Sequence, residues 1–476
     1  MKLIPLLSLI LFCLTAPIHA TSQTTLPQAI QIPTSDEYAY VDTLVNALLH
    51  KTQVAGISVS VNQAGSLLYA KGFGYADIKQ KKKMQATTQV RTASVAKVLT
   101  TTALGKLASE GQLDFDAPLK KYLPYLQAPY AQLTTRQIAG HTAGIQHRPS
   151  SKKIKKKHYA EIRPTVDFFK DDPLLFEPDT KYQYSTLGYN LLAALIESVS
   201  GKKYVDYMRE DIFLPLNMLQ TFPDSPSGFS EKDAKLYFFK KGNLKLDRFI
   251  QDGSYKLAGA GFRSTAVDLV QLMNAYTHGF ISPEIVQEMF TSHSLKNGEA
   301  THVGLGWRLN RDFMDQATIE HAGSWQGART VIVHYPKHQL SIAMMINTKC
   351  NLFIEETAHL LAQFFIPQTA KRSTFQQLHQ KLEISSRQAD GSTVSYTGDL
   401  HLANEQGGSL NISTEREWLK QNTIYPLFGQ HFALATSYGL LYLQLKQQPH
   451  LEGKLFLYQK INDPYHMRKE AMLYFR

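Results

Sequence analysis

Apolar residues recur with two different periods along this chain. Between Glu37 and Leu49, Tyr40, Leu44, Ala47 and Leu48 fall near one face of a helix. Val54 to Val61 then alternates as a strand does, Asn62-Gln63-Ala64-Gly65 supplies a turn, and Ser66 to Phe73 returns as a second strand. This opening hairpin is antiparallel. Helical spacing resumes after Ser94, where Val95, Val98, Leu99, Ala103 and Leu107 form a stripe and Gly111 a stop. Another helix follows Tyr184, with Leu187, Leu191, Leu195 and Val199 as its stripe and Thr186 as candidate cap. Thr330 to His334 and Leu340 to Ile346 read as paired strands across Tyr335 to Gln339, and Phe353 to Phe365 as an amphipathic helix. Strands at both ends of a helix-rich stretch predict one sheet assembled from both ends of a domain.

That domain is expected to end near Pro367. Residues 368–390 are polar and read as a linker. Beyond it, Ser392 to Tyr396, Ser409 to Ser413, His431 to Thr436, Leu440 to Leu445 and Lys454 to Tyr458 are short strand candidates between turn signals. They predict a small C-terminal antiparallel barrel or sandwich. The fold class is therefore α/β (α+β). The expected division is 1–20 as a leader, 21–367 as the main domain, 368–390 as linker and 391–476 as the β-rich domain.

Composition narrows the class. The chain has 476 residues, 43% hydrophobic and 19% charged, which suits a folded globular protein rather than a disordered one. Lys2, the apolar run Leu3 to Pro17 and the small residue Ala20 read as an export signal, so the expected location is periplasmic or secreted. An uncleaved N-terminal anchor is the alternative. No other stretch is long and apolar enough to span a bilayer. The two cysteines are Cys13 and Cys350, and loss of the leader leaves no internal disulfide. Cys350 borders a strand-like run and reads as a core residue. The formal charge of +11 is partly local, in Lys79 to Lys83 and Lys152 to Lys157. Such runs form solvated loops, with attraction to an anionic envelope surface as the functional alternative. No nucleic-acid recognition motif accompanies them.

Three short motifs carry chemistry: Ser94-Val-Ala-Lys97, Tyr184-Ser-Thr186 and His321-Ala-Gly323. Ser-x-x-Lys also occurs at Ser150/Lys153 and Ser200/Lys203, so spacing alone is not specific. Only Ser94 enters a strongly patterned helix, where unpaired N–H groups and the helix dipole suit a developing anion. A serine hydroxyl needs a base before it is a nucleophile. Lys97 lies one turn along the same helix face. An ammonium beside Tyr184 would favour its phenolate, so Tyr184 is the expected proton handler with Lys97. Taken singly, Lys97 reads as an exposed lysine, Tyr184 as a packed aromatic and His321 as a structural histidine. The three in order outweigh those readings. His141, His147 and His158 lack the compact spacing of a metal site, and no phosphate-cradling loop is present, so neither metal nor cofactor is expected.

On these motifs the chain resembles the serine β-lactamase and penicillin-binding-protein superfamily, in its class C β-lactamase, D-aminopeptidase and esterase branch. Further matches are Gly56 to Val61, Gly72 to Asp77, Gly111 to Asp114, Tyr122 to Pro124, His141-Thr-Ala-Gly144, Gly259-Ala-Gly261 with Ser264, Thr265 and Asp268, and Gly304-Leu-Gly-Trp307. The resemblance spans roughly 37–366. It implies an antiparallel sheet flanked by helices, a helical inserted region, and an acyl-enzyme on Ser94. It also implies an oxyanion hole from the backbone N–H groups of Ser94 and Ser324, with Thr186, His321 and Gly323 lining the substrate site. Two departures bear on substrate. Thr186 stands where asparagine is usual, and His321 where lysine is usual, so a fixed charge for a substrate carboxylate is lost. Arg329 is a candidate replacement, and Pro178-Asp179 replaces a common Pro-Gly. The expected partner is a small-molecule or peptide substrate: an ester, a cell-wall peptide or a D-amino-acid peptide. A true β-lactamase and a non-catalytic envelope-binding protein on the same fold are the alternatives.

Overall fold

The computed structural model describes residues 38–149, 154, 157–225, 232–368, 377–387, 392–403, 407–413, 420–446, 452–458 and 470–475. The leader, Ser150 and most of the 152–157 lysine run lie outside them.

The predicted hairpin forms from Gly56–Gln63 and Ser66–Asp77. The main sheet is antiparallel and seven-stranded. Its order is Lys82–Lys83, Ser66–Asp77, Gly56–Gln63, Leu340–Ile346, Ala328–Tyr335, Ala317–Trp325 and Arg308–Arg311. The early strand Gly56–Gln63 therefore sits centrally against a late one, with Ile57 opposite Ile346. Alternation sorts the two faces. Val331, Val333, Ile342 and Met344 join a core with helices Ala39–Thr52 and Ile354–Ala362. Ile332, Ala343 and Met345 join the opposite core, which holds helices Ala96–Ser109 and Gly188–Ser200. The Ser94 and Tyr184 motifs lead into helices of that second face.

The C-terminal region is a closed eight-stranded antiparallel barrel. Leu400, Leu402, Leu410, Ile412, Leu434, Leu441 and Leu443 are among the residues that form its core. Three of its strands escaped the sequence reading: Leu378–Arg387, Asn422–Pro426 and Glu470–Phe475. The first lies inside the stretch read as linker. Its polar positions hid the alternation through Leu378 and Leu382, which pack with the barrel interior. Outer residues Ala433, Ala435, Leu440 and Tyr442 join the core of the two flanking helices instead. Phe313 stacks on Tyr442 at 4.1 Å between ring centres, and Thr357 Oγ1 accepts from Leu440 N–H at 3.1 Å. No helix among the described residues is long and apolar enough to cross a membrane.

Candidate active site

Ser94 sits in a single 3₁₀ turn, Ala93–Val95, that feeds directly into helix Ala96–Ser109. The approach is pinned from two sides. Val90–Arg91 pairs with Phe262–Ser264, Thr92 N–H donates to Phe262 O at 2.9 Å, and Thr330 Oγ1 donates to Arg91 O at 2.9 Å. Ala93 takes φ +47°, a left-handed conformation for a residue with a side chain. Such a backbone costs about 1–3 kcal/mol and persists only where the surroundings impose it. Here it turns the chain so that Ser94 enters the helix beside strand Ala317–Trp325. Gly323 makes that approach possible. A Cβ there would lie 2.5 Å from Thr92 O, 2.8 Å from Ser94 N and 2.9 Å from Ala93 Cβ. Past Glu320 the outer edge of this strand has no pairing with Arg308–Arg311, leaving His321 to Trp325 open toward the site.

Lys97 is fully buried one turn after Ser94. Its Nζ donates to Gly259 O at 2.8 Å and to Thr186 Oγ1 at 3.2 Å. Thr186 thus takes a lysine contact expected of the usual asparagine. It does not cap the following helix: Ser185 Oγ accepts Gly188 N–H at 3.0 Å and serves that end. Lys97 Nζ lies 4.6 Å from the centre of the Tyr184 ring and 5.1 Å from that of Tyr189. Burial, with Lys256 and Arg308 nearby, pushes the Lys97 pKa well below the ordinary lysine value. The Tyr184 hydroxyl is buried and makes no hydrogen bond, and Ser94 lies near enough to favour its ionised form. Burial raises its pKa to about 12, against the pull of Arg308 and Ser94. The expected ammonium–phenolate pair is therefore not the resting arrangement. Desolvation favours a neutral amine and a neutral phenol.

His321 is buried, with Nδ1 3.0 Å from Ala322 O and its ring centre 6.4 Å from that of Tyr184. Donation from Nδ1 leaves Nε2 as the acceptor. Burial, Arg308, Lys97 and His141 hold its pKa well below the usual histidine value. It is an uncharged group where a fixed cation was the family pattern. Arg329 does not replace that charge. Its guanidinium donates to Leu352 O at 2.6 Å and lies 3.7 Å from Glu355. A cation that acts on several groups of the site is Arg308, which follows the Gly304 to Trp307 motif and was not singled out from sequence. It faces Glu320 across the strand pair and lies 3.5 Å from Glu355. Its charge favours the ionised form of Tyr184 and opposes protonation of Lys97, His141 and His321.

A buried ionic network supports the mouth. Arg91 Nε lies 2.8 Å from Asp224, and its guanidinium stacks 4.0 Å from the Trp325 ring centre. Arg91 also donates to Gln326 Oε1 at 2.8 Å and Gln251 O at 2.7 Å, tying the 247–253 loop beside the site. Lys256 Nζ lies 3.7 Å from the Trp325 ring centre. Neither Ser200, which bonds back to Ile196 O, nor half-buried Cys350, whose thiol is pushed up to about 11 by burial, has comparable surroundings. Among the described residues no group of three His, Cys, Asp or Glu is placed to hold a metal ion.

The sheet, the Ser94 helix and the three converging motifs define a serine β-lactamase-fold protein. Residues 41–364 match the beta-lactamase family, and the chain belongs to it. The human mitochondrial serine beta-lactamase-like protein LACTB is 29% identical over 327 residues, covering 53% of this chain and 60% of its own length. The chain thus spans less than two thirds of that relative. Among solved structures, the octameric penicillin-binding protein homologue from Pyrococcus abyssi is 19% identical with TM-score 0.57, covering 93% of this chain and all of that one. The D-amino acid amidase from Ochrobactrum anthropi, complexed with D-phenylalanine, is 24% identical with TM-score 0.57 over 66% of this chain and 92% of its own. These two likenesses establish shared fold.

Proposed function

We propose that this chain is an exported serine hydrolase of the class C β-lactamase-like branch, acting on an ester or on the amide of a D-amino-acid or cell-wall-type peptide. The observation that carries the reading is the convergence beside Ser94: a buried, neutral-leaning Lys97 one turn along its helix, packed 4.6 Å from the centre of the buried Tyr184 ring. Lys97 held by Thr186 and Gly259 is the proton store. As Ser94 Oγ attacks the acyl carbon, its proton passes through the Tyr184 hydroxyl toward the Lys97 amine. The same proton returns to the departing alcohol or amine when the tetrahedral intermediate collapses. The backbone N–H groups of Ser94 and Ser324 face the oxyanion while its charge develops. Water then repeats the sequence on the acyl-enzyme. A neutral His321 gives no fixed attraction for the carboxylate of a penicillin, so β-lactams rank below esters and uncharged amides as substrates.

The test is labelling of the purified protein with a fluorescent fluorophosphonate, followed by peptide mapping. Label on Ser94, lost in Ser94→Ala and kept in Ser200→Ala, supports the reading. Undiminished labelling of Ser94→Ala would refute it. Panels of esters, D-amino-acid amides and β-lactams then rank substrates, and a penicillin with the highest kcat/KM would overturn the substrate class.

A further inference from the structure

Tyr184 lies on a loop, yet its hydroxyl must meet Ser94 with sub-ångström tolerance for proton transfer. The two backbone N–H groups flanking it both end on one residue. Gln183 N–H donates to His141 O at 2.9 Å, and Ser185 N–H donates to His141 Nδ1 at 3.1 Å. The His141 ring centre is 4.4 Å from that of Tyr184, tilted by 42°. We infer that His141 is the positioning residue of Tyr184, a two-point backbone clamp that sets the tyrosine hydroxyl against Ser94. This rests on the proton-handling role proposed for Tyr184.

The backbone explains how one residue can do both. His141 has φ +63°, a left-handed conformation, which turns its carbonyl and its imidazole toward the same strand of chain. The loop is stitched independently on either side. Thr142 Oγ1 and Gln137 Nε2 each donate to Asp179 at 2.6 Å, and Asp179 N–H donates to Thr142 O at 3.0 Å. Asp179 itself adopts φ +64°, so the residue that replaces a common glycine keeps the turn and adds a carboxylate to hold it. On the far side Ser185 Oγ donates to Gln146 O at 2.9 Å. Tyr184 is the single residue between two fixed points of backbone, and both points are held by His141.

The imidazole is not itself a proton shuttle in this arrangement. Nδ1 is committed as an acceptor, which fixes the tautomer with hydrogen on Nε2. Burial above all, with the Arg308 charge nearby, holds its pKa well below the usual histidine value. A protonated ring would set an N–H against the Ser185 N–H and open the clamp. The contact therefore needs a neutral acceptor two bonds beyond Cβ on a residue that tolerates positive φ. Asparagine meets both conditions and glycine meets only the second.

The experiment compares His141→Gly and His141→Asn in the full chain. Single-turnover acylation by an activated ester should fall about 10²-fold in H141G, the penalty typical of a displacement near 1 Å, with KM little changed. H141N should recover most of that loss. A structural role alone would not be rescued by one acceptor atom or confined to the chemical step. In parallel, 3-fluorotyrosine is placed at position 184 and its ¹⁹F resonance recorded in each background. It should shift and broaden in H141G and return toward wild type in H141N. If H141G does not fold, His141→Gln replaces it, its amide lying one carbon too far along. Acylation by the acceptor-less variant within threefold of wild type, H141N as impaired as H141G, or a ¹⁹F resonance indifferent to residue 141 would each overturn the clamp. If the wild-type protein does not acylate at Ser94, the hydrolase reading fails while the ¹⁹F comparison still decides whether His141 holds Tyr184.

Discussion

Replacing Gly323 by alanine would set a methyl carbon 2.5 Å from Thr92 O and 2.8 Å from Ser94 N. Comfortable carbon contacts lie near 3.5–4.0 Å, so strand and turn must part by roughly 1 Å. Neither neighbour yields easily. Thr92 is fixed to Phe262, and Ala93 is already held at φ +47°. The opening falls between Ser94 and Ser324, the two donors assigned to the oxyanion. Losing one such donor costs about 10²–10³ in the chemical step, near 3 kcal/mol. Overpacking the seam should also lower stability by about 1–3 kcal/mol. The assay is single-turnover acylation by an activated ester, followed by stopped flow, with urea unfolding on the same samples. The expected variant is folded, somewhat less stable, and slowed at least a hundredfold with substrate affinity nearly kept. Acylation within threefold of wild type would show that the strand at Gly323 does not set the oxyanion geometry.

Lys97→Met should reduce acylation by about 10²–10⁴-fold, as expected for loss of a general base. It should also change the pH dependence of stability: below an unfolded lysine pKa near 10.4 the unfolded chain binds a proton that buried Lys97 resists, so wild type loses stability relative to the variant as pH falls, until the depressed folded pKa is passed. Arg308→Gln removes a cation that opposes protonation of Lys97 and His321, so the acid limb of the acylation profile should move to higher pH, and an unmoved or lowered limb would refute that electrostatic role. Deleting residues 371–476 should destabilise the remaining protein, because Ala433, Ala435, Leu440 and Tyr442 leave bare the core of the flanking helices. Equal urea midpoints for the full and shortened chains would contradict it.

The sequence carried much of this because periodicity and motif order are local properties. The strand alternation of Val54 to Val61 and the stripe after Ser94 place the sheet and the Ser94 helix within a few residues. What stayed hidden depends on tertiary proximity. Nothing in His141-Thr-Ala-Gly144 says that Nδ1 meets a backbone N–H 44 positions away. Arg308 is one more charged residue after a tryptophan until the strand pairing sets it opposite Glu320. Thr186 has the right chemistry for a cap, but Lys97 claims its hydroxyl. Lysine and tyrosine in sequence suggested mutual ionisation, and full burial reversed that balance. Short barrel strands such as Asn422–Pro426, ending in proline, gave too few alternating positions to register.

The central pairing of Ile57 with Ile346 has a consequence for biosynthesis. The first strand leaves the ribosome about 290 residues before the strand it must lie against, an interval of roughly 15–60 s at 5–20 residues per second. During that time the hairpin of residues 56–77 has an uncovered edge and a bare apolar face. Helix Ala39–Thr52 waits longer, because residues 431–442 complete the core around it. The N-terminal segments of the nascent chain therefore stay uncovered while several hundred residues are made, and the core around that helix closes only once residues 431–442 arrive.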